Sequence, residues 1–285
     1  MKTAILFLLL TLTQAWAQQQ DGAATVATKP FVLGVIDQLQ SKELGENRIV
    51  NIYLPEGYNR NDTITYPVIY LLDGSADEDF IHVAGLIQFN NFSWVDRVPK
   101  SIVVGIANVD RKRDFTYPTT IAADKKLIPA AGKSAKFISF IEKELQPYIL
   151  KKYKGKAGGM LIGQSLGGLL ATEILLKKPL LFDKYVIISP SIWWDNGSLL
   201  KLDGEILKES FKASTHVYIG VGKEGLTPDS FPRVMETDAN LLAEKIRASK
   251  SKEIQVHFDY LPAEDHATIT HQAVFNALRL LYPAK

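Results

Sequence analysis

Apolar and polar positions change their period near residue 67. Before it lie two strand-like runs, 31–40 and 47–54, separated by Lys42-Glu43-Leu44-Gly45-Glu46-Asn47. The second, Arg48-Ile49-Val50-Asn51-Ile52-Tyr53-Leu54, alternates in part and stops at Pro55, so the pair predicts an antiparallel hairpin at a sheet edge. After residue 67 the apolar runs become nearly continuous: Val68 to Leu72, Ile102 to Ala107, Met160 to Ile162, Tyr185 to Ile188, Val217 to Val221 and Ile254 to Tyr260. Between them, spacing near 3.6 predicts helices over 78–91, 134–152, 166–178, 198–210, 232–249 and 267–281. Continuous apolar strands alternating with helices imply an α/β fold: a mostly parallel central sheet with helices on both faces. The antiparallel N-terminal edge hairpin is compatible with it. Residues 108–132 show no clear period, and a loop of that length inside a compact domain is usually functional.

The first residues follow another logic. One positive charge at Lys2, apolar residues from Ala4 to Leu10 and Ala15-Trp16-Ala17 before Gln18 describe a secretory signal peptide over 1–17. The apolar core is too short to span a bilayer, so no stable membrane insertion is expected after cleavage. Residues 18–30 are small and polar and are expected to be a disordered lead-in, leaving 31–285 as a single domain. The chain has no cysteine, which excludes disulfides, a thiol nucleophile and a lipid-anchored cysteine. An exported, cysteine-free chain fits a bacterial periplasmic or secreted protein. The formal net charge is only +2 and no basic cluster occurs, so nucleic acid is not an expected partner.

In an open parallel sheet, ligands bind beyond the carboxyl ends of the strands. At the end of the Met160 run stands Gly163-Gln164-Ser165-Leu166-Gly167. A G-x-S-x-G pentapeptide arises by chance in roughly one chain in ten of this length, so its context decides. Strand, sharp turn and helix lift the serine hydroxyl above the sheet and bring the Leu166 N–H to a helix N-terminus, where it can hold an oxyanion. The Asp73-Gly74-Ser75 loop after an earlier strand offers a second donor at the Ser75 N–H, although Ser75 or Asp77 could instead cap a helix. Of five histidines, His216 and His257 fall in strands and His82 and His271 in helices, whereas His266 alone lies in a loop past the last strand. His266 is therefore the candidate base. The chain order serine, acid, histidine points to Glu224, with Asp195 and Asp229 as rivals.

Two further groups remain open. Arg111 and Arg113, in the long loop, can fork onto an anionic or carbonyl-rich substrate or pair with local carboxylates. Trp193 and Trp194 can wall an apolar or aromatic acyl site, with a core role expected for at least one indole. No metal-binding or nucleotide-binding motif occurs, and no cofactor is expected.

As an ordered set, several pieces resemble the esterase family of the α/β-hydrolase superfamily that holds S-formylglutathione hydrolases, feruloyl esterases, mycolyltransferases and enterobactin-type siderophore esterases. They are Tyr70 to Gly74, Arg111 to Thr116, Phe137 to Ile149, Gly163 to Gly168, Ser189 to Trp194 and the Asp265-His266 end. The siderophore esterases are the most similar branch. The resemblance covers about 31–282 and implies an α/β-hydrolase fold and ester hydrolysis, with Ser165 as nucleophile and His266 as base; joined to the signal peptide, this gives the expectation of an exported serine esterase acting on a small-molecule ester through an acyl-serine. It also implies that the Arg113 loop borders the acyl or siderophore pocket. Acyl transfer, a feruloyl- or acetyl-type carbohydrate esterase, and a non-catalytic binding protein on the same scaffold are the alternatives.

Overall fold

The computed structural model describes residues 27–61, 63–227 and 231–283. The chain divides into two units, 1–32 and 33–285. In the first, the described residues 27–32 are exposed and have no regular secondary structure. The predicted signal peptide and Asp229 lie outside the described residues.

The second unit carries one eight-stranded sheet. Its strands are β1 (Val35–Ser41), β2 (Glu46–Tyr53), β3 (Val68–Leu71), β4 (Ile102–Ile106), β5 (Met160–Gln164), β6 (Lys184–Ile188), β7 (Thr215–Gly222) and β8 (Ile254–Leu261). The spatial order is β1-β2-β4-β3-β5-β6-β7-β8. The hairpin β1–β2 is antiparallel and joins β4 antiparallel, and every pairing beyond β4 is parallel. The N-terminal hairpin thus forms one edge and β8 the other.

The apolar runs are continuous because both sheet faces are covered. Val68 and Tyr70 of β3 point into a core shared with Phe137, Ile149, Leu169 and Ile174. Ile69 and Leu71, one residue out of phase, point into a second core with Val83, Ile87, Val274 and Leu278. The helices α1 (Phe80–Asn90) and α9 (Ile269–Leu281) cover that second face. On the first lie α4 (Ser134–Phe140), α5 (Gln146–Tyr153), α6 (Leu166–Lys177) and α8 (Met235–Arg247).

Three segments differ from the sequence pattern. Residues 198–210 do not make one helix: α7 (Ser198–Lys201) stops before an extended Leu202, and one 3-10 turn follows at Glu205–Leu207. A Cβ on Gly204 would sit 2.6 Å from the Leu176 carbonyl oxygen, so the chain there presses against the end of α6, where only glycine fits. Residues 134–153 stay helical, but Ile141–Leu145 winds as a π-turn between α4 and α5. Pro147 lies just beyond; it has no N–H to give a carbonyl one turn back and its ring crowds that carbonyl, and the wider turn relieves both. The aperiodic stretch 108–132 contains two short helices, α2 (Arg111–Phe115) and α3 (Ala122–Leu127).

The hairpin is fastened to α2 by a buried ion cluster. Arg48, fully buried, donates to Asp114 at 2.7 Å and to Glu46 at 3.0 Å, and its guanidinium lies 5.0 Å from the centre of the Phe137 ring. Arg113 closes the cluster onto the same two carboxylates. Burying so many charges is tolerable only because each faces an opposite one.

Candidate active site

Ser165 sits between β5 and α6 with φ 60° and ψ −119°, a backbone conformation rare for a residue with a side chain. The turn is held open by its neighbours. The Ser165 N–H donates to the Ile188 carbonyl at 3.0 Å, and its own carbonyl accepts from Leu169 and Ser191. A Cβ on Gly163 would lie 2.4 Å from the Gly167 carbonyl oxygen, so the bend closes on itself too tightly for any other residue there. Leu166 is the first residue of α6, and its N–H has no carbonyl four residues back to satisfy it.

Facing the serine is His266, in the loop between β8 and α9. Its Nε2 lies 3.0 Å from Ser165 Oγ, and its Nδ1 lies 2.6 Å from Glu224 Oε2. The carboxylate can only accept, so Nδ1 carries the proton and Nε2 offers its lone pair to the serine hydroxyl. The three loops are laced together at the ends of β5, β7 and β8. Gln164 Nε2 donates to the His266 carbonyl at 2.9 Å, and the Lys223 N–H donates to the Glu264 carbonyl at 2.8 Å. Gly222 permits that approach: a Cβ would meet the Glu264 carbonyl oxygen at 2.7 Å.

Glu224 is buried at its side chain, yet its pKa is lowered. Burial alone would raise it. Hydrogen bonds from His266, Ser189 and the Gly222 N–H outweigh that penalty and keep the carboxylate ionised. Ser189 donates to Glu224 Oε1, and Glu236 fixes the loop by accepting from the Glu224 N–H at 2.8 Å.

The structure therefore brings Ser165, His266 and Glu224 into one hydrogen-bonded chain. It assigns Asp195 elsewhere: that carboxylate accepts from Thr119 Oγ1 and from the N–H and Oγ1 of Thr120, which lower its pKa against the opposing effect of burial. The other histidines have their own surroundings. His82 and His271 meet edge to face across α1 and α9, 5.2 Å between ring centres. His216 and His257 lie on β7 and β8 with pKa values lowered first by burial.

The Asp73-Gly74-Ser75 loop packs on the first turn of α6. A Cβ on Gly167 would be 3.3 Å from Asp73 Oδ2 and 3.4 Å from Leu72 Cβ. Gly74 is pinned by its N–H to the Ile106 carbonyl and by its carbonyl to Asn51 Nδ2. Ser75 follows directly, past the carboxyl end of β3, which lies beside and parallel to the strand that leads to Leu166.

Three of the substrate-contact candidates have partners within the protein. Arg111 forks onto Asp73 through Nε at 2.6 Å and Nη2 at 2.8 Å and also donates to the Gln164 carbonyl at 3.2 Å, so its fork ties together the two segments that flank the serine. Arg113 is committed to Glu46 and Asp114 and does not line the cavity at Ser165. Trp194 has 0% exposure and donates to the Tyr117 carbonyl at 2.9 Å, so it is a core residue that no substrate can reach. Trp193 alone of the pair lines the cavity, which measures about 280 Å³ and is completed by Ser165, Ser191, Glu224, Leu226, Thr227, Met235 and His266.

Ser189 and Ser191 were not singled out from sequence. Ser191 Oγ lies 3.4 Å from Ser165 Oγ. Both serines stand just past β6, and the strand-end rule that found Ser165 applies to them equally. Leu226 and Met235 carry no chemical signal of their own. Among the described residues, no three His, Asp or Glu side chains converge to hold a metal ion, and no helix is long and apolar enough to cross a membrane.

The family model described as "Putative esterase" matches residues 41–273. Ferri-bacillibactin esterase BesA of Bacillus subtilis (strain 168) is 30% identical over 252 residues, covering 84% of this chain and 86% of that protein. An IroE-like serine hydrolase from Shewanella oneidensis superposes with a TM-score of 0.77 at 32% identity, over 87% of this chain and 80% of that one. Siderophore hydrolase EstA from Aspergillus nidulans shares the fold, with a TM-score of 0.72 at 20% identity over 90% of this chain and 98% of its own.

Proposed function

The chain belongs to the esterase family of the α/β-hydrolase superfamily and is an esterase; on that premise we propose that it is an exported serine hydrolase that opens siderophore-type carboxylic esters through an acyl-serine intermediate. The observation that carries the mechanism is the Ser165–His266–Glu224 chain of hydrogen bonds. Its atoms suit a two-step acyl transfer to water. His266 Nε2 accepts the hydroxyl proton as Ser165 Oγ bonds to the ester carbonyl carbon. The carbonyl oxygen becomes an oxyanion held by the Leu166 and Ser75 N–H groups. Collapse breaks the bond to the alcohol oxygen, which takes the proton from His266 and leaves. Water, deprotonated by the same nitrogen, then attacks the acyl-serine and releases the acid and Ser165. Glu224 keeps the imidazole in the required tautomer and stabilises its cationic form.

Siderophore-type substrates are supported by the similarity to the ferri-bacillibactin esterase of Bacillus subtilis, which spans most of both chains. The residues 1–17 support export. A panel of purified esters tests the substrate class, with enterobactin, methyl ferulate and p-nitrophenyl butyrate compared by kcat/KM. Enterobactin is expected to lead methyl ferulate by about tenfold or more. A lead for methyl ferulate would transfer the assignment to aryl carbohydrate esters.

Arg111 has a positioning role in this scheme, because its fork joins Asp73 of the oxyanion loop to Gln164 beside the nucleophile. Arg111→Met is expected to lower kcat about tenfold while KM changes less than about threefold, the pattern of a misaligned oxyanion site. If Arg111 instead bound substrate, KM would rise with kcat nearly unchanged.

A further inference from the structure

The cavity beside Ser165 has a composition that bears on which ester enters it. Its walls are the Trp193 indole, Leu226 and Met235, with Thr227 and Ser191 as the small polar members. Among the described residues, no lysine or arginine lines it. Nearby cations are already engaged or point away. Arg233, two residues before Met235, forks onto Asp238 at 2.7 and 2.6 Å. Arg111 forks onto Asp73, and Lys223 is exposed and does not border the cavity. Among the described residues, the carboxylate in the lining is that of Glu224.

The rim extends this character. Leu226 is 71% exposed and forms an isolated antiparallel bridge with Val234, which is itself exposed, as is Phe231 beside it. Of these, Leu226 borders the cavity itself, and a large apolar side chain left uncovered there is expected where a ligand covers it. His266 is 47% exposed at its side chain, so the alcohol it protonates has an open path to solvent. The acyl group stays bonded to Ser165 until water arrives and needs room at the serine itself. A volume of about 280 Å³ is at the small end for a ligand cavity and suits one compact group.

Resting on the esterase reading above, we infer that this cavity is an acyl subsite for a compact, uncharged, apolar group, a short alkyl chain or a single ring, and that it rejects acyl groups carrying a carboxylate. Trp193, Leu226 and Met235 set this preference. A second carboxylate entering the cavity loses water, finds no cation and faces Glu224. An apolar group of the same length loses little and covers Leu226 and the indole.

The test compares p-nitrophenyl butyrate with mono-p-nitrophenyl succinate, which share a leaving group and acyl chain length and differ in the terminal carboxylate. In the full-length enzyme kcat/KM is expected to favour butyrate by about 30-fold or more. Leu226→Lys supplies a cation at the rim and is expected to shrink that ratio about fivefold, in line with an exposed ion pair. Leu226→Gln, polar without charge, is expected to leave the succinate ester as poor a substrate as before. Because the reading is a ratio within one protein, partial loss of folded enzyme cancels. A parent ratio below about three, or a lysine variant with the parent ratio, overturns the inference. Turnover of neither ester by the parent contradicts ester hydrolysis itself and takes this inference with it. Turnover of both at similar rates contradicts the acyl preference alone.

Discussion

Replacing Ser165 by alanine is expected to lower kcat for p-nitrophenyl butyrate by about 10⁴-fold or more, with KM little changed. Ser165 Oγ is the atom 3.0 Å from His266 Nε2, and the hydroxyl is the group whose proton that nitrogen can accept. Alanine keeps the backbone, including the positive φ at the elbow, and leaves the Ser165 N–H bonded to Ile188. The fold and the oxyanion donors therefore survive while the nucleophile disappears. Circular dichroism and the urea midpoint of the variant should match the parent, which separates lost chemistry from lost structure. Turnover near the parent rate would remove Ser165 from the reaction.

The second large effect is expected at Glu224. Glu224→Gln keeps the size of the side chain, but its amide can donate to His266 Nδ1 and so favour the tautomer that carries the proton on Nε2. That tautomer cannot accept a proton from Ser165. A fall in kcat of about 10³- to 10⁴-fold is expected, again with KM nearly constant. The same substitution has a signature in stability against pH. The folded-state pKa of Glu224 is lowered: burial acts against the charge, but hydrogen bonds from His266 and Ser189 prevail. A depressed carboxylate contributes stability that is present above its unfolded pKa and is lost as pH falls through its folded value. The difference in urea midpoint between parent and Glu224→Gln should therefore be widest at neutral pH and narrow on acidification below about pH 4. A difference that stays constant across that range would contradict an ionised, stabilising Glu224.

The arrangement of the sheet was legible because burial of both faces leaves a direct trace, in runs such as Val68 to Leu72 and Tyr185 to Ile188. The elbow was legible because its geometry demands particular residues: Gly163 where a Cβ would strike the Gly167 carbonyl, and a serine between strand and helix. His266 and Glu224 followed from topology, since loops after parallel strands share one end of the sheet. What the pattern did not contain were partners distant in sequence. Arg113 looks like a ligand-binding fork until Glu46, from the edge hairpin, is brought against it. Trp193 and Trp194 are adjacent and chemically identical, and their local sequence does not encode that one faces the cavity and the other the Tyr117 carbonyl. The expected helix over 198–210 ends at Lys201, and Gly204 beyond it presses against the end of α6, a contact no local propensity encodes. Leu226 and Met235 were invisible for the same reason: an apolar residue reveals a cavity only once its neighbours are assembled.

The central claim is that Ser165 is a nucleophile activated by His266. A fluorophosphonate probe reacts only with a serine so activated, and peptide mass spectrometry then locates the adduct. The account predicts a single stoichiometric adduct on the peptide containing Ser165 in the parent protein, slowed by about 10³-fold or more in His266→Ala and absent in Ser165→Ala. An unlabelled parent protein, or an adduct on any other residue, would contradict it.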